Sequence, residues 1–483
     1  MTRNVPIERT SAGQWRLVAL LLVAGVTVDI QWGSLPPLVG VIAASTGLSG
    51  SEIGWVLNSM MVGSAVSVGL TTRLGDIYGH RKVLIALTAL ALVGSAVAAT
   101  GTSFWPLVIG RFLMGLAVAV PLGWGLLRPR ATARRIRLVS LALSLMLAIF
   151  TPLALVISGF IVDLGLPWQS VFWVSFALFA ILLVLAVVSS ETPVSARAHG
   201  RPSWFGSLGL GLWVAALLVG ISEGPASGWT SPLVVGAFCV SGATLVVWVL
   251  QQRRSDEPLM SFRGMDRRQA LVGYSGIFLI SVVGTSIFIA LPALLQTSEE
   301  AGYGHGLSTL DSTFVLLAII PGSALGYLWT RWGVVRLGPR AVLLISGTAS
   351  VVVFLGFGFA NDAPWMPWVW VFGYALATLS CLTVGYTLVA AAGRQDNMAV
   401  TTGIQSIVQY TSGTIPTAVL LNVLVPGPDG FIPEAVFTGT FVAAATVVAV
   451  FVVAWAFLAP KRISDLHAVD AAPDPETAYA VTH

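Results

Sequence analysis

Charge is scarce in this chain. Of its 483 residues only 10% are Asp, Glu, Lys or Arg, where a water-soluble domain carries about a quarter, so a globule surrounded by water on every side is excluded. Cysteine is scarcer still. Cys239 and Cys381 both lie inside apolar runs, which argues against a disulfide framework and against a cysteine-ligated metal. The five histidines, His80, His199, His305, His467 and His483, fall between or beyond the apolar runs, so no clustered catalytic or metal-ligating set emerges and no cofactor is called for. No Gly-rich loop ending in Lys-Ser/Thr is present, which removes the phosphate cradle that nucleotide-driven transport needs. A net charge of +4 spread over 25 basic and 21 acidic residues gives no footprint for nucleic acid.

What fills the chain instead is apolar surface: 56% hydrophobic residues, a mean hydropathy of +0.87, 50 glycines and 17 tryptophans. Lipid is the solvent that fits. Gly permits close helix crossings and Trp favours the headgroup level. Runs of about 20 apolar residues, enough to cross a bilayer, recur near 15–33, 52–71, 83–101, 104–127, 138–161, 168–189, 204–222, 232–251, 269–296, 311–330, 341–360, 366–392, 401–425 and 434–458. Fourteen transmembrane helices are expected. The first is read as a retained span because Asp29 interrupts it and no small-residue cleavage site follows. The stretch 463–483, rich in Ala, Asp and Pro, is expected to be a disordered cytoplasmic tail.

With fourteen spans and both termini cytoplasmic, every basic residue but one falls inside, from Arg73, Arg81 and Lys82 through Arg128 to Arg137, Arg253 to Arg268, Arg331 to Arg340 and Arg394 to Lys461 and Arg462. The opposite loops carry acids such as Glu52, Asp163, Glu223, Glu299, Glu300, Asp362 and Asp429. This is the positive-inside pattern. It implies a multi-pass protein of the inner membrane, and the exception, Arg111, lies within a span.

An internal repeat is also visible. Leu35-Pro36 closes the first span and Leu291-Pro292 the ninth, and Arg73-Leu74-Gly75 to Gly79 is matched by Leu328 to Gly333, which pairs Gly79 with Gly333. The repeat divides the chain into an N-terminal six-helix bundle (1–195), a linker with two inserted helices (196–264) and a C-terminal six-helix bundle (265–462). Duplicated halves around one site are the arrangement that alternating access uses.

The string Arg73-Leu74-Gly75-Asp76-Ile77-Tyr78-Gly79-His80-Arg81-Lys82 resembles the G-x-L-a-D-R-x-G-R-[RK] signature of the major facilitator superfamily. Val28-Asp29 with Leu35-Pro36, Trp55 with Asn58, Gly110-Arg111 with Gly115, Trp168 with Phe172, Gly228-Trp229 and Gly302-Tyr303 are further echoes in the same order. With two extra central helices, the chain is similar to the fourteen-helix drug:proton antiporter branch. It departs from the signature at Thr72 and Ile77, and of the span-five antiporter motif only Thr151-Pro152 and Ser158-Gly159 remain. The resemblance implies an all-α membrane protein of the major facilitator fold that exports drug-like amphiphiles in exchange for protons. The competing reading is a carrier of an endogenous metabolite or lipid.

An ionisable group inside a span is costly and is a functional candidate by default. Asp29 and Arg111 qualify. Asp29 is expected to bind the proton or a cation and Arg111 to modulate it, the alternative being a static buried ion pair. Asp76 at the membrane edge can cap a neighbouring helix and pair with a basic loop. The resemblance implies a cytoplasmic gate of Arg73, Asp76, Gly79 and Arg81. For the substrate cavity, Gln405 and Gln409 belong to a polar stripe with Thr402 and Ser412 at helical spacing, while Gln31, Asn58 and Gln296 add neutral hydrogen-bonding groups and Trp32 an aromatic wall. Little negative charge beyond Asp29 argues for a neutral or singly cationic amphiphile; protons are the expected second partner, and a monomer is expected.

Overall fold

The computed structural model describes residues 11–117, 119–127, 131–190, 204–254, 266–392 and 398–461. The expected linkers around 191–203 and 255–265 and the tail 463–483 lie outside the described residues, as do the side chains of Arg73 and Asp76. Among the described residues the chain is helical throughout, with no strand. The first stretch contains α1 (Ser11–Gly33), α2 (Val39–Thr46), α3 (Gly50–Tyr78), α4 (His80–Thr100), α5 (Phe104–Leu116), α6 (Ala119–Leu127), α7 (Ala133–Asp163) and α8 (Ser170–Val188). The inserted pair is α9 (Trp204–Ser227) and α10 (Pro232–Arg254). Then follow α11 (Arg267–Thr285), α12 (Leu291–Gln296), α13 (Thr309–Val315), α14 (Ile319–Arg336), α15 (Pro339–Phe359), α16 (Met366–Ala392), α17 (Met398–Val423) and α18 (Glu434–Leu458).

Ten stretches among the described residues are long and apolar enough to cross a membrane. Three more helices, α7, α9 and α17, contribute only the shorter apolar stretches Ile149–Asp163, Leu208–Gly224 and Ser412–Val423. Large side chains on the outer surface are bare, Phe205 at 83%, Phe457 at 73% and Val335 at 72%, an arrangement that lipid tolerates and water does not.

Lipid removes most of the hydrophobic drive between helices, so close packing of small residues must hold the bundle. A Cβ on Gly63 would stand 2.4 Å from the Phe112 carbonyl oxygen, and one on Gly115 only 2.1 Å from that of Met60. Only glycine fits this α3–α5 crossing. Ser64 and Ser67 then donate across it to the Gly115 and Leu116 carbonyls at 3.1 and 2.5 Å. The buried side chains form two main cores, one drawn mostly from residues 17–186 and one mostly from 272–459. Ile289, Leu420 and Leu421 join the first core, and Leu155 joins the second, marking where the two bodies touch.

That seam lies at one end of the bundle. The short 3-10 turn Pro36–Leu38 packs on the π-helical turn Ser286–Ala290 and on α12. A Cβ on Gly50 would stand 2.2 Å from the Leu421 carbonyl, one on Gly159 would stand 2.7 Å from Leu310 Cα, and Phe160 meets Phe314 edge to face at 6.1 Å. All of these sit at the end that carries the connections 34–49, 164–169, 297–308 and 424–433; we call it the closed end. The inserted α9 lies over the same seam, with Val214 and Leu218 packed on Val62 of α3 and Ala418 of α17.

At the opposite, basic end the repeat is expressed in structure, with a different register from the one read in sequence. Gly333 lies inside α14, whereas Gly338 (φ 83°) stands before α15 as Gly79 (φ 98°) stands before α4. The pairing of Gly79 with Gly333 is therefore corrected to Gly79 with Gly338. Two residues on, Arg81 donates to the Ala186 and Val187 carbonyls at the end of α8, and Arg340 donates to the Ala456 carbonyl at the end of α18. Arg268 adds bonds of 2.8 and 2.9 Å to the Leu458 and Phe457 carbonyls. The last carbonyls of a helix have no partner within it, and a guanidinium suits both their lone pairs and the negative end of the helix dipole.

Candidate functional site

Asp29 lies on α1 one turn from Gly25 and one turn from Gly33. A Cβ on either glycine would meet α7, at Leu143 or at the Thr151 carbonyl, so i±4 spacing puts Asp29 on the face toward α7. It is 6% exposed, and among the described residues no ion pair or hydrogen bond joins its carboxylate to a partner. Pro152 interrupts the ladder of α7 at this level.

Arg111 lies on α5, 4% exposed. Its Nε donates to the Val56 carbonyl at 3.3 Å, Nη1 to that of Gln31 at 3.1 Å and Nη2 to that of Leu57 at 3.3 Å. Every nitrogen of the guanidinium is thus engaged by backbone, and the side chain ties α1, α3 and α5 together. The static ion pair entertained for Asp29 and Arg111 is absent from the described residues. Among the described residues Arg111 makes no hydrogen bond to Asp29, and in this state it acts as a clamp on backbone.

Around the clamp lie two buried amides. Gln31, 2% exposed, donates Nε2 to the Thr27 carbonyl at 3.1 Å, and Asn58, 1% exposed, donates Nδ2 across the seam to the Thr414 carbonyl of α17 at 3.2 Å. Their side-chain oxygens have no partner among the described residues. Trp32 is half-buried, with its ring tip 3.4 Å from where a Cβ on Gly413 would stand and Met61 at 3.7 Å from the same point. Gln31, Trp32, Asn58 and Arg111 are therefore brought to one region where α1, α3 and α5 face α17, while Asp29 lies on the α7 side of α1.

The remaining expected site residues separate. Gln409 accepts from the Tyr386 hydroxyl at 3.4 Å and Gln405 is half-buried one turn earlier on α17. Gln296 does not join them: it ends α12 at the closed end, where it donates to Ser312 Oγ at 3.0 Å and accepts from Thr309. Its helix-end position makes it a tie between α12 and α13. Of the gate residues, Gly79 caps α3 and Arg81 caps α8, while the side chains of Arg73 and Asp76 lie outside the described residues. Sequence reasoning missed the Thr414 carbonyl and the π-helical turn. Pro292 just after the second was an available signal; the first carried none, since a backbone carbonyl is common to every residue. Among the described residues no group of three or more His, Cys, Asp or Glu could hold a metal.

Two helical bodies meeting at one end around a polar centre, in a shell of bare apolar side chains, are the architecture of a multi-pass membrane protein. The family model described as Major Facilitator Superfamily matches residues 21–417, and the chain belongs to that family. It is 26% identical over 393 residues to the multidrug resistance protein Stp of Mycobacterium tuberculosis, covering 77% of this chain and 68% of the relative. With the tetracenomycin C resistance and export protein of Streptomyces glaucescens it shares 25% identity, again over 77% of this chain and 68% of the relative. Among solved structures it is similar to the nucleoside transporter NupG (TM-score 0.62, 14% identity, 92% of this chain and 98% of that one). It is also similar to a partially occluded inward open form of the xylose transporter XylE from E. coli (TM-score 0.59, 14% identity, 92% and 100%). At these identities the structures speak to fold alone.

Proposed function

We propose that this chain is a proton-coupled exporter of drug-like amphiphilic molecules that works as a monomer by alternating access. The observation that carries the reading is Asp29: a carboxylate buried in the first helix with no protein partner among the described residues. A fixed structural charge would be paired, whereas a group that exchanges protons with a substrate must be free to take up either. Relatives named for multidrug resistance and for export support the direction and the substrate class. In this reading the chain makes fourteen spans with both termini at the cytoplasmic face of the inner membrane, divided as 1–195, 196–264 and 265–462. The closed end is then the outer one, and the described state faces inward. Arg73, Asp76, Gly79 and Arg81 form the gate that shuts the inner end in the other state, and Gln31, Trp32, Asn58, Gln405 and Gln409 line the substrate path.

The test is transport of amphiphilic dyes in inside-out vesicles with and without an imposed proton gradient. Asp29→Asn, which keeps size and loses titration, should abolish gradient-driven accumulation while downhill exchange persists. Full coupling in that variant at matched protein level would remove Asp29 from the mechanism. Reporter tags after Glu223, after Glu300 and at the C-terminus should read outside, outside and inside.

A further inference from the structure

The central region holds two buried acceptors without a partner among the described residues. At Gln31 and Asn58 the orientation of each amide is fixed by a backbone carbonyl, Thr27 and Thr414 respectively, which must face the NH2 group. The atom left without a partner is therefore the oxygen in both cases. Leaving a buried acceptor unmet costs its desolvation, and two such acceptors stand on the two helices that Arg111 spans. The guanidinium relieves neither: the three bonds it makes go to backbone carbonyls, and both amide oxygens stay without a partner among the described residues.

We propose that the site selects its substrate by hydrogen-bond donors, Gln31 Oε1 and Asn58 Oδ1 accepting from N–H or O–H groups, so that protonated primary and secondary amines are preferred over quaternary ammonium ions of like shape. This rests on the transport reading above and names its substrate class. Both oxygens are sealed in the described state. The bond from Asn58 to Thr414 crosses the seam, so parting of the two bodies at the closed end frees the Asn58 amide and uncovers the acceptor. A quaternary ammonium ion leaves both amide oxygens unmet, and a site with unmet polar groups rejects the analogue that lacks the donor.

The experiment is equilibrium binding to the purified full chain in lipid nanodiscs, with no gradient, using an arylalkyl primary ammonium ion and its N-trimethyl analogue. The wild type should bind the primary amine about tenfold tighter. Asn58→Leu and Gln31→Met should each weaken the primary amine about fivefold, as loss of one neutral acceptor predicts, and leave the trimethyl probe within about twofold. Gln31→Met is the safeguard against misfolding, since the bond it loses stays within α1. Equal binding of the two probes by the wild type overturns the proposal, as does a variant that weakens both probes alike. Binding of neither probe overturns it together with the cationic substrate class. Gradient-independent transport with the donor preference intact would instead refute proton coupling and leave the proposal standing.

Discussion

Replacing Arg111 by Gln removes a cation that donates to three backbone carbonyls on α1 and α3. Hydrogen bonds from a charged donor contribute about 1.5–3 kcal/mol each, but contributions within one side chain do not add, and Gln can keep one contact. A net loss of about 3 kcal/mol is expected, a factor of roughly 100 in the folded ratio. Asp29→Asn should cost less than about 1 kcal/mol, because no bond or ion pair is broken. The informative quantity is the coupling between the two changes. A buried ion pair would make each single variant costly and the double variant benign. With Arg111 held by backbone and no contact to Asp29, the costs should add to within about 0.5 kcal/mol. Steric-trap unfolding of the four proteins in one lipid mixture measures this. A coupling above about 1 kcal/mol, or recovery of folded protein in the double variant, would refute the assignment of Arg111 as a clamp independent of Asp29.

At the closed end, Gly50→Ala places a methyl 2.2 Å from the Leu421 carbonyl, so the seam must part; the population should shift toward opening there, read as faster labelling of a cysteine placed at Ala418, and an unchanged rate would count against the seam as a gate. Arg81→Ala and Arg340→Ala should each lower stability by about 1 kcal/mol through uncapped helix ends, seen as a few degrees in melting temperature, whereas lysine at either position should recover part of it. His305, in the connection between α12 and α13, has a buried Nε2 without a partner among the described residues, and burial holds its pKa below the ordinary histidine value although the Glu299 and Asp362 carboxylates pull the other way. Its folded form therefore resists protonation more than the unfolded chain does. The local stability it supports is present above the ordinary histidine pKa and falls as pH drops through that value toward the lower folded one. Amide exchange of residues 297–308 should quicken from pH 7.5 to 5.5, and His305→Gln should flatten the trend.

Much of the architecture could be read directly because lipid makes charge expensive. The basic residues sort to one end of the helices, and Asp29 and Arg111 stand out against apolar surroundings. What those two residues do could not be read, since the partners of Arg111 are carbonyls that every residue possesses; the close α3–α5 crossing at Gly63 and Gly115 brings those of Val56 and Leu57 within reach. The register of the repeat failed for a similar reason. Gly333 matches Gly79 as a letter, but the need for a positive φ at a helix junction falls on Gly338. Gln296 was grouped with the cavity by its chemistry, while its place at the end of α12 turned it toward Ser312.

The arginine at the start of α4 reaches the end of α8, and the one at the start of α15 reaches the end of α18. In order of synthesis, each of these contacts must wait for the last helix of its own six. A nascent chain can therefore complete the first body as soon as α8 leaves the ribosome, before any part of the second exists. The second repeats the same closure only at its final turn. Truncation just after α8 should leave a protease-resistant product, whereas truncation just before α18 should leave the second body open to quality-control degradation.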